Sequence, residues 1–438
     1  MEGNNNQIEI SVLKGDKLFN ENTPFIINIT SPQPKIEDKR CNADLICVID
    51  ISGSMTGEKI ELVKKSLAIL VDMMDNNDRL ALILFNNESN LYFDLNYLTD
   101  ETKKDLKNKI SLIDSHGGTN ILSGLEKAIE ILKKEKNNND NRVSSILLLS
   151  DGCDNYSDDI SLAESLKKLT KGFGLSFTLN TFGYGYDHDP KIMNKLANLR
   201  DGSFFLVEDY NKVGEYFVTV LGGCVSVISK KADLNVNLLN NKFKFVKLFG
   251  EENLFSYELQ PLCFKTTMLQ FICGKEYTFV LEINVDENEI KIGDELLNVN
   301  FIYEDIVHKN SITLNKKYKY ELKDMNYDKA NEEYIRSQVY FILDKALKLR
   351  EKNNSKESRK ILKEIEEWLK KNYKGSHNEY LEDIIKSQKL FEDEGIFCTR
   401  GISYVTSQIR ENQSKRVGSR MTYTNSIQMH YGRSAQQP

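Results

Sequence analysis

Five side chains that end in oxygen stand on three segments, two of them where apolar runs stop and one in a loop that leads into a helix. In DLICVIDISGSM, residues 44–55, the run Leu45 to Ile49 leads into Asp50, and Ser52 and Ser54 follow at alternate positions. Gly117-Gly118-Thr119-Asn120 comes later, ahead of a helical pattern, and Ser150-Asp151-Gly152 closes another apolar run, SSILLLS. Together Asp50, Ser52, Ser54, Thr119 and Asp151 offer two carboxylates and three hydroxyls, with no histidine or cysteine among them. An all-oxygen set suits a hard divalent cation. Mg²⁺ comes first, because it prefers an octahedral oxygen shell and keeps some of its waters; Mn²⁺ or Ca²⁺ would use the same donors. Gly118, Asn120 and Asp154 border these positions and are expected to form the rim that a partner touches.

A serine at a strand end has two other uses. It can cap a turn by bonding nearby amides, but three such segments in one order favour the cation. It can also be a nucleophile, which needs a histidine base. Of His116, His188, His308, His377 and His430, only His116 lies beside one of the loops, and there is no GxSxG elbow. GxxxxGK[ST] is absent as well, so no phosphate loop is expected. The expectation is a protein that binds and does not catalyse. Asp187-His188-Asp189 reads as a turn, with Asp189 capping a helix that begins at Pro190.

The elements that position the oxygen set emerge from periodicity. ADLICVIDI, RLALILFNN (79–87), SSILLLSDG (144–152), FTLNTFGYG (177–185) and GSFFLVED (202–209) read as strands. Between and after them, helical patterns cover the stretch beginning Ile60-Val63-Leu67 and residues 99–113, 120–135, 161–170, 190–199 and 211–228. This alternation predicts a doubly wound, mostly parallel α/β sheet covered on both faces. In such a sheet ligands bind at the carboxyl ends of strands, where the oxygen set falls. From 232 to about 320 the pattern changes to period two, as in DLNVNLL and YTFVLEINV, which predicts an antiparallel β-sandwich. The early runs IEISVLKG and FIINIT share that character, so residues 1–40 are expected to pair with the later strands. Residues 323–395 read as a helical hairpin region with serine caps in NNSKES (353–358) and a third helix near 378–393. Trp368 falls on an apolar stripe and reads as core. Residues 396–438 read as a polar tail.

The 438 residues allow several domains. With 59 basic and 65 acidic residues the chain has no bias towards nucleic acid, and no apolar run is long enough for a membrane span. MEGNNNQIEI lacks the pattern of a secretory signal. The seven cysteines are odd in number and none forms a CxxC pair, which points to reduced thiols in an intracellular, cytoplasmic setting.

DISGSM, GGTN and LLSDG together resemble the metal-ion-dependent adhesion site of von Willebrand factor type A domains. The resemblance spans about 44–228, within a domain expected at residues 41–228. It implies that Ser52 and Ser54 coordinate the metal directly, Thr119 directly or through water, and the aspartates largely through water. One coordination position is then left for an acidic group of a protein partner. Beyond the domain, FGYGYDHDPKIM (182–193), LGGCVSVI (221–228) and residues 346–369 resemble plant-type RING-finger ubiquitin ligases that carry this domain. Residues 1–40, however, contain no cysteine or histidine to build a RING. The expectations are a metal-dependent interaction scaffold first. A substrate-binding component of a ubiquitin-ligase system without its own RING, or a structural subunit of a larger complex, are the alternatives.

Overall fold

The computed structural model describes residues 7–32, 41–135, 142–152, 154–171, 174, 176–185, 190–207, 210–250, 256–306, 308–321, 327–373, 379–397, 401, 402, 404–406, 408 and 409. The Asp187-His188-Asp189 turn, Cys153, Cys398 and the polar tail beyond 409 lie outside them.

Two strands come first, β1 (Glu9–Lys14) and β2 (Thr23–Thr30). The α/β unit comes next: β3 (Asn42–Asp50), α1 (Glu58–Met73), β4 (Arg79–Phe85), β5 (Ser89–Tyr97), α2 (Asp100–Ser111), α3 (Ile121–Glu135), β6 (Arg142–Ser150), α4 (Asp159–Thr170), β7 (Phe177–Tyr184), α5 (Pro190–Asn198), β8 (Phe204–Val207) and α6 (Tyr210–Val225). Its sheet runs β5-β4-β3-β6-β7-β8. Every neighbouring pair is parallel except β4 with β5. Leu45, Cys47 and Ile49 of β3 pack with α1, α2 and α6, while Ile46 and Val48 face α3, α4 and α5. Burial on both faces is why the central strands read as unbroken apolar runs.

Strand β5 was not anticipated. Its residues are mostly half-exposed or exposed, and bulges break its register with β4. As an antiparallel edge it needs no continuous apolar run, so its sequence gives little signal.

The chain then forms β9 (Val227–Ser229), β10 (Ala232–Leu238), β11 (Lys244–Leu248), β12 (Ser256–Gln260), β13 (Cys263–Met268), β14 (Phe271–Ile272), β15 (Glu276–Asn284), β16 (Glu295–Glu304) and β17 (Ser311–Lys319). Two antiparallel sheets, β1-β2-β15-β11 and β12-β13-β10-β16-β17, close over one apolar core, and β9 pairs with β14. Strand β2 pairs with β15 from Thr30–Glu276 to Thr23–Ile283. The α/β unit is therefore inserted between sandwich strands. Its two ends sit together, with the Cys41 amide donating to the Val225 carbonyl at 3.2 Å.

Helices α7 (Tyr327–Glu351), α8 (Ser355–Asn372) and α9 (Glu379–Glu392) follow. Phe397, Val405 and Ile409 are buried in their apolar core, so the segment expected as a polar tail from 396 contributes packed residues as far as 409. Helix α7 covers the outer face of the four-stranded sheet through Ala330 and Tyr334, against Leu13, Ile26 and Val280. This second cover explains why β2 is apolar on both faces, with Phe25, Ile26, Ile27 and Ile29 all buried. The α7–α8 turn is capped by Asn354, whose side chain accepts from the Glu357 amide at 3.3 Å. The serines expected in that role act otherwise: Ser358 is buried and donates to the Ala346 carbonyl at 2.8 Å, across the hairpin. Trp368 stacks on Phe19 of the β1–β2 connection, centroids 4.2 Å apart.

Helix α3 positions the oxygen set most directly, since the GGTN segment leads into its first turn. It lies close to the sheet because Gly124 has no side chain. A Cβ there would come within 2.7 Å of Val48 Cγ1 and 3.0 Å of Phe85 Cδ1. Val48 is β-branched and stiff, and Phe85 is fully buried. Overpacking costs about 1–3 kcal/mol, and the helix propensity regained is at most about 1 kcal/mol. Gly124→Ala should therefore lower the free energy of unfolding, by roughly 1 kcal/mol on balance. Urea titration of wild type and variant measures this.

Candidate metal centre

The site is built where β3 and β6 leave the sheet. Asp50, the last residue of β3, is fully buried, and both carboxylate oxygens are engaged. Oδ1 accepts from the Ser52 amide at 2.8 Å, and Oδ2 accepts from the Ser150 hydroxyl at 2.5 Å. Ser150, at the end of the neighbouring strand, accepts in turn from the Gly152 amide at 2.8 Å. A short 3-10 turn, Gly53–Met55, buries Met55 and lifts Ser54 into solvent beside the buried Ser52. The two serine Oγ atoms lie 3.0 Å apart.

The other two loops are fastened to this one. The Gly53 amide donates to the Gly117 carbonyl at 2.9 Å, and the His116 amide to the Ile51 carbonyl at 2.6 Å. Gly117 holds φ 86°, a left-handed conformation that disfavours a side chain. Thr119 is 3% exposed. Its amide donates to Asn155 Oδ1 at 2.7 Å, and its carbonyl accepts from the Asn155 amide at 2.9 Å. Asp50, Ser52, Ser54, Thr119 and Asp151 thus converge on one sheet edge.

The electrostatics are demanding. Asp50 and Asp151 are both fully buried. Burial is the main cause that pushes the Asp50 carboxyl up to about 6, and the nearby Asp151 charge adds to it; hydrogen bonds from Ser150 and Ser52 pull the other way. Opposite charge comes from Lys59 in the first turn of α1, with Nζ 3.0 Å from Asp151 Oδ2.

The donor set fits a divalent cation. Two ligands on adjacent corners of an octahedron with bonds of about 2.1 Å lie about 3.0 Å apart, a separation that the hydrogen-bonded Ser52 and Ser54 hydroxyls already have. The described residues contain no cluster of three or more His, Cys, Asp or Glu side chains, so hydroxyls must supply the contacts. Ser52, Ser54 and Thr119 would hold the ion. Asp50, with both oxygens already accepting hydrogen bonds, would act from behind, through water and by orienting Ser52.

The rim differs in part from the sequence expectation. Gly118 is half-buried and donates its amide to Asn87 Oδ1 at 3.1 Å. Asn120 caps α3, accepting from the Ser123 amide at 3.1 Å. Asp154 turns its carboxylate inward, accepting from the Ile121 amide at 2.8 Å and the Ser157 amide at 2.7 Å. It braces two loops, and the exposed positions beside it are Asn155 and Tyr156. Asn87 and Lys59 are contributors that the sequence did not reveal, and Ser150, visible within Ser150-Asp151-Gly152, has a role of its own beside Asp50. Only Ser150, polar at the end of an apolar run and beside Asp151, carried a readable signal.

A carboxyl raised in the folded state binds its proton more tightly folded than unfolded. Its contribution to stability is therefore full below its ordinary value of 3.8 and is lost as pH rises through about 6. In chelator, wild type should lose stability relative to Asp50→Asn across that interval, read from urea midpoints at a series of pH values. Parallel profiles would show that Asp50 is not the group responsible.

Residues 44–218 match the von Willebrand factor type A domain. An uncharacterized protein of Synechocystis is 27% identical over 207 residues, covering 46% of this chain and 47% of that one. Inter-alpha-trypsin inhibitor heavy chain H2 of Mus musculus is 31% identical over 165 residues, covering 36% of this chain and 17% of that one. The chain therefore spans half or less of the length of these relatives. Among solved structures, a von Willebrand factor type A protein from Catenulispora acidiphila superimposes with a TM-score of 0.68 at 13% identity, covering 92% of this chain and 98% of that one. The ArnB paralog VWA2 from Sulfolobus acidocaldarius gives 0.56 at 17% identity, covering 93% and 99%. These likenesses extend over the sandwich and helices and concern the fold. Domains of this type are generally protein-interaction modules, and residues 44–218 of this chain form a von Willebrand factor type A domain.

Proposed function

We propose that the chain is a cation-dependent protein-interaction scaffold that acts by binding, without catalysis. A Mg²⁺ ion, or Mn²⁺ or Ca²⁺ in its place, sits on Ser52, Ser54 and Thr119, backed by Asp50 and Asp151. It completes its shell with an acidic side chain of a protein partner. The observation that carries this reading is the serine pair at octahedral spacing above two buried carboxylates. The ion supplies a Lewis-acidic contact for a carboxylate. This chain's residues fix that contact at the sheet edge and keep the aspartates out of water.

The first measurement is cation binding by the purified protein. Mn²⁺ titration calorimetry should show saturable binding that Ser54→Ala weakens at least about tenfold, a loss of about 1.4 kcal/mol. Saturating Mg²⁺ should raise the melting temperature, since a ligand at a hundred times its Kd stabilises the folded state by about 2.7 kcal/mol. Partner capture should then require the cation and be lost in EDTA. A folded protein that binds no divalent ion would sink the proposal.

A further inference from the structure

Lys59 stands in an unfavourable place for a lysine. It is the second residue of α1, at the positive end of the helix dipole, where Glu58 and Glu61 are the favoured type. Its side chain is only 18% exposed, and it reaches across 92 positions of sequence to put Nζ 3.0 Å from Asp151 Oδ2. A lysine head is a compact charge on a flexible stem with three donors, so it can hold a carboxylate and also withdraw from it. It meets the carboxylate that a bound cation would need.

Resting on the cation reading above, we propose that Lys59 is a resident monocation. It neutralises Asp151 when no divalent ion is present and sets the threshold at which one binds. With Lys59 in place, the two buried carboxylates are partly compensated before any ion arrives. An incoming divalent ion then meets a positive charge already against one of its carboxylates, and like charges at this range repel strongly away from bulk water. The ion must displace the ammonium or bind against its field. The cost is weaker cation affinity, and the gain is a cation-free domain that stays folded. This makes Lys59 a positioning and affinity-setting residue that does not itself ligate the ion.

The test compares wild type with Lys59→Met and Lys59→Arg, using Mn²⁺ alone as probe. Lys59→Met should bind Mn²⁺ at least tenfold more tightly by calorimetry and melt at a lower temperature in chelator. Its melting temperature should converge on wild type at saturating Mn²⁺. Lys59→Arg, which keeps the charge, should bind like wild type. A residue that only packed would lower the chelator melting temperature without tightening Mn²⁺ binding. Should Lys59→Met fail to fold in chelator, Lys59→Gln, with a neutral head, gives the same comparison. Equal or weaker Mn²⁺ binding by the neutral variants overturns the role of Lys59 and leaves the cation site standing. If wild type and neutral variants are folded and none binds Mn²⁺, the cation reading fails and this inference with it.

Discussion

Two carboxylates buried beside each other, Asp50 and Asp151, impose the condition that the site is built to meet. A charge removed from water must be compensated by hydrogen bonds, by opposite charge or by taking up a proton. All three responses are visible. Asp50 accepts from the Ser52 amide and the Ser150 hydroxyl, Asp151 meets Lys59, and burial pushes the Asp50 carboxyl up to about 6. The strands cannot relieve the condition by moving apart. Asp50 ends a strand paired on both sides, with β4 and with β6. At the opposite end of those strands Asp44 is gripped by Arg79 and Arg142 at 2.6–2.8 Å. The sheet is pinned at its base, so compensation must come from the loops at its other edge.

Those loops are held by amides and carbonyls. Asn86 reaches the His116 carbonyl at 3.1 Å, Asn87 holds the Gly118 amide, and Asn155 brackets Thr119. Polar side chains serve well here because loop backbone at a sheet edge has donors and acceptors that no ladder satisfies. Small residues let the loops approach. A Cβ on Gly118 would collide with Asn87, and Gly124 lets α3 lie on Val48 and Phe85. Thr119 is thus positioned by packing on one side and by hydrogen bonds on the other.

How far each feature was legible in the sequence depends on how it is stabilised. Strands β3 and β6 could be read because burial on both faces demands long apolar runs such as LICVI and ILLL. The oxygen set could be read because a hard cation constrains residue type and chain order. Strand β5 could not, since an exposed edge strand places few demands on composition. Lys59 was missed because one lysine in an amphipathic helix is ordinary; only its place in the first turn, against the dipole, was unusual. Asp154 was assigned to the rim from its neighbourhood in sequence. Its carboxylate satisfies the first amide of a helix that begins 33 residues earlier, a partner that sequence proximity cannot show.

The insertion gives the site its orientation. The α/β unit leaves and rejoins the sandwich at Cys41 and Val225, which are hydrogen-bonded to each other. The Ile306 amide of the sandwich bonds the Ile228 carbonyl just beyond that exit. Strand β3 then runs nine residues from this junction to Asp50, about 26 Å at 3.3 Å per residue. The contacts that hold the unit to the sandwich therefore lie at the base of the sheet, and the oxygen set lies at its far edge. Strand β2, paired with β1 and β15 and covered by α7, ties the start of the chain to its later half. A partner carboxylate approaching the edge meets loops braced against one another, while the load it places on them passes down parallel strands to a junction closed by hydrogen bonds.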